Sequence, residues 1–363
     1  MMDTTARPQD PAASNARESA APNPRAKPLR LALIGLGPQG IEHLEATGIS
    51  SDVQFVAGVE LQAHQREKVA LRYPSLHGHL YASIEALRAE SLDALVLALP
   101  HHAYGEVWGQ IIALGLPLLK EKPLGRNQEE ARYFLNTARQ AGCQLQTAIQ
   151  RRHHPSYKYL RQALRDSGET ICEVHAHLHL GFGLPPTAQV GAADVRTWRS
   201  DPKQSGGGSL LDSGYHMVDL LHYLLGPFEM VASTLLNGDR LMNAQALEDR
   251  GLLSGRTAQA WVMLDSWLHG ASDASSPTGF KKSEGLLVQT DRQQWRADRS
   301  GVWHAGQEQA IYTTRKDWQA AMASQLDDFA RNIRSNTWSD ATLWDQLPAM
   351  RVIDQAYQQG FHF

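Results

Sequence analysis

One lysine lies where the sequence could aim a positive charge at a bound ligand. Lys122 follows a mostly apolar run, residues 116–120, which predicts a short buried strand. That strand comes about 80 residues after a glycine loop, Gly35-x-Gly37-x-x-Gly40. Because open parallel sheets bind ligands at the carboxyl ends of their strands, we expect the Lys122 ammonium to face such a ligand. An ammonium group there could stabilise negative charge that develops during a reaction.

A second set of chemical groups follows three consecutive glycines, residues 206–208. Asp212, His216 and Asp219 are spaced at i, i+4 and i+7, so on a helix they share one face. We expect that helix to begin near Ser209, a plausible N-cap, and to bury its leucines on another stripe. Histidine is the usual general acid or base near neutral pH, and the glycines let the backbone pass close to something. The alternative is a solvated face with a simple i, i+4 pair.

The glycine loop follows a predicted strand, residues 29–34, and opens a predicted helix. Its glycines permit a tight turn, close approach to a pyrophosphate and close helix packing. The helix N-terminus supplies N–H groups to the phosphates. The predicted cofactor contacts in the loop are Gly35, Leu36, Gly37, Pro38, Gln39 and Gly40. The alternative is a tight turn that binds no ligand.

Glu60 ends the second predicted strand, 20 residues beyond Gly40. A carboxylate at this place accepts hydrogen bonds from ribose hydroxyls and repels a 2′-phosphate, so NAD is favoured over NADP. Leu99, Pro100 and His101 end another long strand and are expected to face the same crevice, although His101 could be an ordinary loop histidine. Glu121 is a further expected contact with the cofactor.

The elements that position these residues change in character near residue 150. Before it, strands alternate with helices, which predicts βαβ units and a doubly wound parallel sheet. After it, strand-like segments follow one another, which predicts a mostly antiparallel sheet. The fold class is therefore α/β, with a C-terminal α+β domain. We expect a disordered extension over 1–27, a dinucleotide-binding domain over 28–150, a substrate and oligomerisation domain over 151–340, and a C-terminal helix within 341–363 packing back on the first domain.

Composition excludes several classes of protein. A net charge of −3 gives no electrostatic case for binding nucleic acid or a membrane surface. No apolar run is long enough to span a bilayer. The two cysteines, Cys143 and Cys172, cannot form a disulfide framework and fit a reducing compartment, so we expect a cytoplasmic protein. Residues 1–27 lack the apolar core of a secretory signal, although they could be a targeting or partner-binding tail.

These motifs together resemble the Gfo/Idh/MocA family of oxidoreductases, which includes glucose-fructose oxidoreductase and inositol dehydrogenase. The resemblance covers roughly residues 29–360 and rests on the glycine loop, on Glu121-Lys122-Pro123 and on the run from Gly206 to Asp219. It implies a Rossmann domain followed by a large open sheet, with Lys122, Asp212 and His216 meeting at the nicotinamide. It also implies a sugar-like substrate and a homodimer or homotetramer.

The chain departs from the family pattern on the substrate side. Leu99 stands where the family usually has Thr, and Tyr104 where it usually has His. Arg152 matches an arginine that often follows the sixth strand, but His153 replaces the usual Phe. Trp198-Arg199 matches a pair often found ahead of the glycines. The expected substrate contacts are Arg152, Trp198, Arg199 and Tyr215.

The predicted function is hydride transfer between NAD and a secondary alcohol or ketone of a sugar, a polyol or a sugar derivative. His216 would take the hydroxyl proton, Lys122 would stabilise the oxygen's negative charge, and Asp212 would orient both. Two alternatives stay open: an NAD-assisted glycoside hydrolase without net redox change, and a non-catalytic sensor of a sugar or NAD.

Two further features of the second half allow alternatives. His175, His177 and His179 alternate along one predicted strand and could bind a metal, but no paired cysteine or carboxylate accompanies them, so no metal is predicted. An aromatic sheet face could be buried against another subunit or within the chain. Its candidate residues are Trp261, Trp267, Trp295 and Trp303.

Overall fold

The computed structural model describes residues 27–180, 197–238, 240–241, 247–268, 282–314, 318–337 and 345–359. The extension predicted over residues 1–27 lies outside these ranges except for Lys27. Within the described residues no helix is long and apolar enough to cross a lipid bilayer.

The N-terminal domain is a six-stranded parallel sheet in the order β3-β2-β1-β4-β5-β6. Its strands are β1 (Leu29–Ile34), β2 (Val53–Val59), β3 (Leu80–Tyr81), β4 (Ala94–Leu97), β5 (Leu118–Glu121) and β6 (Leu145–Ala148). The helices that follow them are α1 (Pro38–Ala46), α2 (Ala63–Arg72), α3 (Ala103–Ile112) and α4 (Gln128–Gln140). This strand order is that of a dinucleotide-binding Rossmann domain, whose crevice opens between β1 and β4.

Burial on both faces explains why the central strands read as apolar runs. Along β1, Ala32 and Ile34 face one core cluster, whereas Leu31 and Leu33 face another. Successive side chains of a strand point to opposite faces, so a sheet covered on both sides needs apolar residues at every position. These cores hold the strand ends, and therefore the residues that follow them, in fixed positions.

The C-terminal domain is a nine-stranded sheet in the order β15-β14-β13-β12-β7-β11-β10-β8-β9. Its strands are β7 (Ile171–Leu180), β8 (Glu229–Asn237), β9 (Arg240–Leu241), β10 (Arg250–Arg256), β11 (Trp261–Leu268), β12 (Ser283–Thr290), β13 (Gln294–Asp298), β14 (Gly301–His304) and β15 (Tyr312–Thr313). All pairs are antiparallel except β7 with β11. The predicted α/β fold with a large, mostly antiparallel second sheet is confirmed.

One face of this sheet is covered by helices and the other is open. The α-helices that follow residue 150 in the described chain are α5 (Pro155–Ser167), α6 (Pro202–Ser205), α7 (Tyr215–Leu225), α8 (Trp318–Ser335) and α9 (Leu347–Gln359), and of these α5, α7 and α9 contact this sheet. Of these, α7 packs against β7 and β11. On β7, Val174, Ala176 and Leu178 are buried on the covered side, whereas His175 is exposed on the other.

Helices α8 and α9 follow the second sheet in the chain, yet both contact the first domain. Helix α8, which the sequence assigned to the substrate domain, packs on α1 and β2 of the Rossmann domain. Its apolar side chains, including Met322, Leu326 and Phe329, belong to the core cluster of Leu31 and Leu33. Helix α9 packs on β8 and α7 as well as on α4, so it lies between the two domains.

Candidate active site

The glycine loop joins β1 to α1, and each glycine meets a different steric demand. Gly35 has a φ of +96°, and a Cβ there would lie 2.3 Å from the Ala98 carbonyl oxygen. A Cβ on Gly40 would lie 2.1 Å from the Gly35 carbonyl oxygen. A Cβ on Gly37 would meet no atom within 4 Å, so the loop is open to a ligand at that point. The first turn of α1, which begins at Pro38, directs unpaired N–H groups towards a ligand bound there.

Glu60 directly follows β2, and its carboxylate holds the glycine loop. Its Oε2 accepts a hydrogen bond from the Leu36 backbone N–H at 3.2 Å, and its Oε1 accepts one from the Gln62 N–H at 3.0 Å. The Gln65 amide also donates to the Leu36 carbonyl oxygen at 2.6 Å. Glu60 is therefore a fixed carboxylate beside the loop, which is what recognition of a ribose requires. Its contact with a cofactor stays a prediction.

The buried Glu121 carboxylate binds within the protein. Its Oε1 lies 2.8 Å from His43 Nε2 and accepts a hydrogen bond from Gln39 Nε2 at 3.2 Å. Both donors are on α1, so Glu121 ties the start of that helix to the end of β5. Glu121 thus braces the cofactor loop through Oε1, and its direct contact with a cofactor stays a prediction.

Lys120 is a buried cation that anchors the segment carrying Lys122. Its Nζ donates hydrogen bonds to the carbonyl oxygens of Pro123 at 2.8 Å and Glu121 at 3.2 Å. It also lies 3.7 Å from the centroid of the Tyr104 ring, a cation–π contact. Burial lowers the pKa of Lys120 to about 7. Sequence reasoning missed this role, although a lysine at the end of a buried strand is itself a signal that it has an internal partner.

An ion pair joins the two domains at the carboxyl end of β5. Lys122 Nζ lies 3.0 Å from Asp212 Oδ1 and donates a second hydrogen bond to the Asp212 carbonyl oxygen at 2.7 Å. Arg199 Nε donates to Asp212 Oδ2 at 3.2 Å. Burial acts to raise the pKa of Asp212, but the charges of Lys122 and Arg199 outweigh it and hold that pKa well below its usual range. Asp212 is therefore ionised between two cations.

Aromatic rings border this ion pair. The Arg199 guanidinium lies 4.3 Å from the Trp198 ring centroid, and His101 meets Trp198 edge-on at 4.6 Å. His101 is buried, and its Nδ1 lies 2.7 Å from the Ser205 carbonyl oxygen, so Nδ1 carries the proton. Burial lowers the pKa of His101 to about 3, which keeps the ring neutral. His101 is therefore not the exposed loop histidine that the sequence allowed, and Trp198 and Arg199 lie where the sequence predicted a site.

The Tyr104 hydroxyl fixes the backbone of the loop before His101. Leu99 and Pro100 are partly buried and follow the end of β4. The Tyr104 hydroxyl accepts a hydrogen bond from the Leu99 N–H at 3.2 Å and donates one to the Leu97 carbonyl oxygen at 2.9 Å. Tyr104 therefore contributes to this edge of the crevice through the backbone, from within the core.

His216 is the second residue of α7, which directly follows the π-helical turn that carries Asp212. The imidazole is nearly buried, and its Nδ1 has no hydrogen-bond partner among the described residues. Burial lowers the pKa of His216 well below its usual value, and the positive charges of Arg151, Lys122 and Lys282 lower it further. His216 is therefore neutral near pH 7 and ready to accept a proton.

Asp212 does not orient His216, contrary to the role that the sequence predicted. Both Asp212 carboxylate oxygens are bound, to Lys122 and to Arg199. The reason is local: residues Leu210–Gly214 form a π-helical turn, and α7 proper begins only at Tyr215. A π turn holds an extra residue, so an i, i+4 spacing that crosses it does not align two side chains as an α-helix does.

Asp219, the third residue of the predicted face, belongs to a separate network. It is completely buried and binds the guanidinium of Arg152 through Nε at 3.1 Å and through Nη2. Arg152 Nη1 in turn lies 3.0 Å from Asp345, and Gln346 donates to Asp219 at 2.7 Å. The Arg152 guanidinium, a predicted substrate contact, is thus engaged by two carboxylates. Tyr215, another predicted contact, is completely buried, and burial together with the charges of Asp219 and Asp345 raises its pKa.

The glycines at 206–208 make room for protein atoms. A Cβ on Gly208 would lie 2.0 Å from the Glu248 carbonyl oxygen, and one on Gly207 would lie 2.2 Å from the Tyr357 hydroxyl oxygen. The Glu248 carboxylate accepts hydrogen bonds from the N–H groups of Gly208 at 3.0 Å and Leu210 at 2.8 Å. The helical segment does begin at Ser209 as predicted, but the Ser209 side chain does not cap it, and the buried Glu248 carboxylate accepts the free N–H groups instead. Burial raises the pKa of Glu248 to about 6.

Two of the three histidines of β7 lie beside carboxylates, and the third contacts a neighbouring histidine ring. His175 Nε2 lies 2.5 Å from Glu173, His179 Nε2 lies 3.1 Å from Asp265, and the rings of His177 and His179 meet at 5.4 Å. Among the described residues, no group of three or more His, Cys, Asp or Glu side chains is arranged to hold a metal ion.

Two family models match almost the whole described chain. Residues 29–149 match an oxidoreductase family described by its NAD-binding Rossmann fold, and residues 166–362 match the C-terminal alpha/beta domain of the same family. The chain belongs to the Gfo/Idh/MocA family of oxidoreductases. This confirms the resemblance, which rested on the glycine loop, on the segment around Lys122 and on the run from Gly206 to Asp219.

Curated relatives of this chain include a catabolism protein, a reductase and a dehydrogenase. The rhizopine catabolism protein MocA of Rhizobium meliloti is 29% identical over 54% of this chain and 57% of its own length. The 1,5-anhydro-D-fructose reductase of Ensifer adhaerens is 29% identical over 58% of this chain and 61% of its own. The scyllo-inositol 2-dehydrogenase (NAD(+)) of Bacillus subtilis is 25% identical over 69% of each chain. The match thus spans less than two thirds of the first two relatives.

Solved structures share the fold at low sequence identity. An oxidoreductase from Agrobacterium radiobacter, in complex with NAD+, L-tartaric acid and magnesium, has a TM-score of 0.72 at 14% identity, over 92% of this chain and 96% of its own. An NAD binding oxidoreductase from Klebsiella pneumoniae has a TM-score of 0.72 at 16% identity, over 92% of this chain and 97% of its own. At these identities the likeness establishes the arrangement of the two domains.

Proposed function

We propose that this protein is an NAD-dependent dehydrogenase or reductase acting on a secondary alcohol or ketone of a sugar, a polyol or a sugar derivative. The observation that carries the proposal is the ion pair between Lys122 and Asp212, made across two domains at the carboxyl end of a Rossmann sheet. A neutral imidazole, His216, lies near enough for the charge of Lys122 to lower its pKa. Membership of an oxidoreductase family supports the same class of reaction.

The residues of the first domain fit a dinucleotide. Gly37 leaves open space where a pyrophosphate would pass, and the first turn of α1 directs N–H groups there. Leu99, Pro100, His101 and Lys122 would border the nicotinamide. When bound, NAD supplies the acceptor or donor of the hydride. Glu60 supports NAD over NADP, because its carboxylate would repel a 2′-phosphate and could accept hydrogen bonds from ribose hydroxyls.

The roles of the protein residues follow from their protonation states. During oxidation of an alcohol, His216 accepts the hydroxyl proton at Nε2 as the hydride leaves the carbon, since Nδ1 is buried. Lys122 donates a hydrogen bond to the same oxygen and stabilises its negative charge. Asp212 holds Lys122 in place through its carboxylate and its carbonyl oxygen. Reduction uses the same groups in reverse.

The test is NAD reduction measured against polyols, sugars, sugar acids and nucleotide sugars. With an active substrate, Lys122→Ala should lower kcat by about 10²–10⁴-fold, because it removes the group that stabilises the oxygen. The Kd for NAD should change little. Lys68→Ala, on the exposed side of α2, is the control and should retain full activity. Full turnover by Lys122→Ala would contradict the catalytic role of Lys122.

The same panel separates the two other functions. Release of a sugar without net formation of NADH would indicate an NAD-assisted glycoside hydrolase. Binding of NAD and a sugar with neither oxidation nor cleavage would indicate a sensor. The presence of both Lys122 and His216 favours a catalyst over a sensor.

We further propose a homodimer or homotetramer in the cytoplasm. The open face of the large sheet carries exposed apolar side chains, with Trp261 51% exposed and Met263 39% exposed, whereas Trp295 is buried in the core. Both cysteines are free thiols, which suits a reducing compartment. Light scattering of the native protein and of Trp261→Glu tests the assembly. If that face is the interface, the variant should form a smaller oligomer with a lower molar mass.

A further inference from the structure

A second group of charged residues lies beside His216, apart from the Lys122–Asp212 pair. The short turn Arg151–His153 follows β6 and packs against α7, the helix that carries His216. Lys282 lies just before β12, and Arg299 just after β13. The charges that act on the imidazole are Arg151, Lys122 and Lys282, and all three are positive.

One buried carboxylate serves two of these cations. Glu284 accepts a hydrogen bond from Arg151 Nη2 at 3.0 Å and lies 3.2 Å from Arg299 Nε. The Trp318 ring contacts both guanidinium groups, with centroid distances of 5.4 Å and 5.6 Å. Arg151 is only 3% exposed, and its Nε and Nη1 have no hydrogen-bond partner in the described part of the chain. The Arg151 guanidinium thus has more donors than the described residues supply acceptors.

Lys282 is the exposed member of this cationic cluster, which we define as Arg151, Lys282 and Arg299. Within the described residues its ammonium forms no hydrogen bond and no ion pair. Burial lowers the pKa of Lys282, and the like charge of Arg299 lowers it further. A ligand with negative charge would relieve this repulsion.

Two other carboxylates near the cationic cluster already have partners. Glu42 Oε2 accepts a hydrogen bond from Trp318 Nε1 at 2.8 Å and another from Gln39 Nε2 at 3.2 Å. Asp298 Oδ1 accepts one from the Ser300 N–H at 2.5 Å. Neither is within ion-pair distance of Lys282 in the described structure, so its charge stays available to a ligand.

We infer that the substrate carries an anionic group, a carboxylate or a phosphate, which binds Lys282 and Arg299 in front of Arg151 while its CH–OH group lies beside His216. The inference rests on the proposed function and narrows its substrate class. An anionic oxygen group accepts charge-assisted hydrogen bonds from an ammonium and a guanidinium together. A neutral polyol would leave Lys282 without a counter-charge and would gain less from the site.

The test compares matched sugars that differ in one charged group: glucose, glucuronate and glucose 6-phosphate, together with galactose and galacturonate. NADH formation gives kcat/KM, and titration calorimetry of the NAD-bound protein gives the Kd. Glucuronate, galacturonate or glucose 6-phosphate should bind more tightly than its neutral counterpart. Lys282→Met should weaken that binding by about 10–100-fold, the worth of a charge-assisted hydrogen bond, and leave glucose and galactose unchanged.

Arg292→Met is the matched control. Arg292 is exposed in the turn at the opposite end of β12, roughly 25–30 Å from Lys282 at about 3.3 Å per residue. The Arg292→Met substitution therefore removes one positive charge from the same hairpin, at a place distant from Lys282. It should leave all affinities unchanged. If both variants weakened the binding of the anionic sugars equally, the cause would be the net charge of the protein, and the inference would be overturned.

Three further outcomes separate the possible causes. If neutral sugars bind and react as well as the anionic ones, and Lys282→Met changes neither, the inference fails and the proposed function stands. If Lys282→Met weakens NAD binding in a fluorescence titration and spares the sugars, the cationic cluster serves the cofactor's pyrophosphate, which also overturns it. If no compound is oxidised or reduced but glucuronate binding depends on Lys282, the anion site stands and the proposed reaction fails.

Discussion

The two sides of the candidate site handle charge in opposite ways. On one side, Lys122, Asp212 and Arg199 form a paired group in which a carboxylate lies between two cations. On the other, His216 is neutral, its Nδ1 has no partner among the described residues, and only cations act on it. One continuous segment carries a residue of each side, because Asp212 is in the π turn and His216 is in α7, which follows it directly. An acceptor of protons can therefore lie near an ammonium without becoming charged.

Replacing His216 should have the largest effect. His216→Asn removes the proposed base and should lower kcat by about 10²–10⁴-fold, with the Kd for NAD unchanged. In the wild-type protein, alcohol oxidation should persist well below pH 6.5, because the imidazole must be neutral to accept a proton and its pKa is lowered. Steady-state rates between pH 5 and 8 check this. Loss of activity with an apparent pKa near 6.5 would contradict a buried, cation-flanked base.

Asp212→Asn tests whether the two sides are independent. The variant leaves Lys122 and Arg199 without their carboxylate, although the backbone carbonyl still accepts from Lys122, so we expect about 1–3 kcal/mol lower stability in urea unfolding. The acid limb of the pH–rate profile should stay in place, because Asp212 is not among the charges that act on His216. A shift of that limb would mean that Asp212 does orient the imidazole. Asp201→Asn, the N-cap of α6, serves as a control for loss of a nearby carboxylate.

The buried Lys120, which anchors the segment carrying Lys122, should make the stability of the fold depend on pH. Its pKa is lowered to about 7 in the folded protein and is near 10.5 when the chain is unfolded. Between these values the unfolded state binds the extra proton, so Lys120 contributes stability that rises with pH, by at most about 1.4 kcal/mol per unit. Below pH 7 both states are protonated and the full cost of burying the charge remains. Unfolding midpoints at pH 7.5, 8.5 and 9.5 should rise in wild type relative to Lys120→Met.

The Lys68→Met variant, which changes an exposed lysine of α2, should keep the wild-type slope. Equal slopes in wild type and Lys120→Met would show that Lys120 keeps its proton through this range, held by its two carbonyl acceptors and the Tyr104 ring.

The smallest effect is expected at the adenosine end of the cofactor site. Glu60→Gln removes the charge that would repel a 2′-phosphate, so the ratio of kcat/KM for NADP to that for NAD should rise by roughly tenfold. Rates with both cofactors at one substrate concentration check it. Glu60→Gln keeps one acceptor for the Leu36 N–H, so a loss of both activities would point to collapse of the loop instead.

The secondary structure of the first domain could be predicted closely because its signals are local. The bounds of β1 match the strand predicted over residues 29–34, since a strand buried on both faces is apolar throughout. The glycine spacing also indicates a dinucleotide loop without any tertiary information. The sequence of β10, RGLLSGR, has no strand pattern, and the strand forms because β8 and β11 pair with it on either side.

The identities of Lys122, Asp212, His216 and Glu60, and the motifs that place them at strand and helix ends, could be read from the residues alone. Which charges meet depended on the packing of the two domains, because attraction between charges depends on distances that spacing along the chain does not specify. The π turn separated Asp212 from His216, Asp345 and Asp219 engaged Arg152, and Glu248 capped a helix almost 40 residues before it in the chain. The neutrality of His216 likewise arises from burial and from cations on three separate segments.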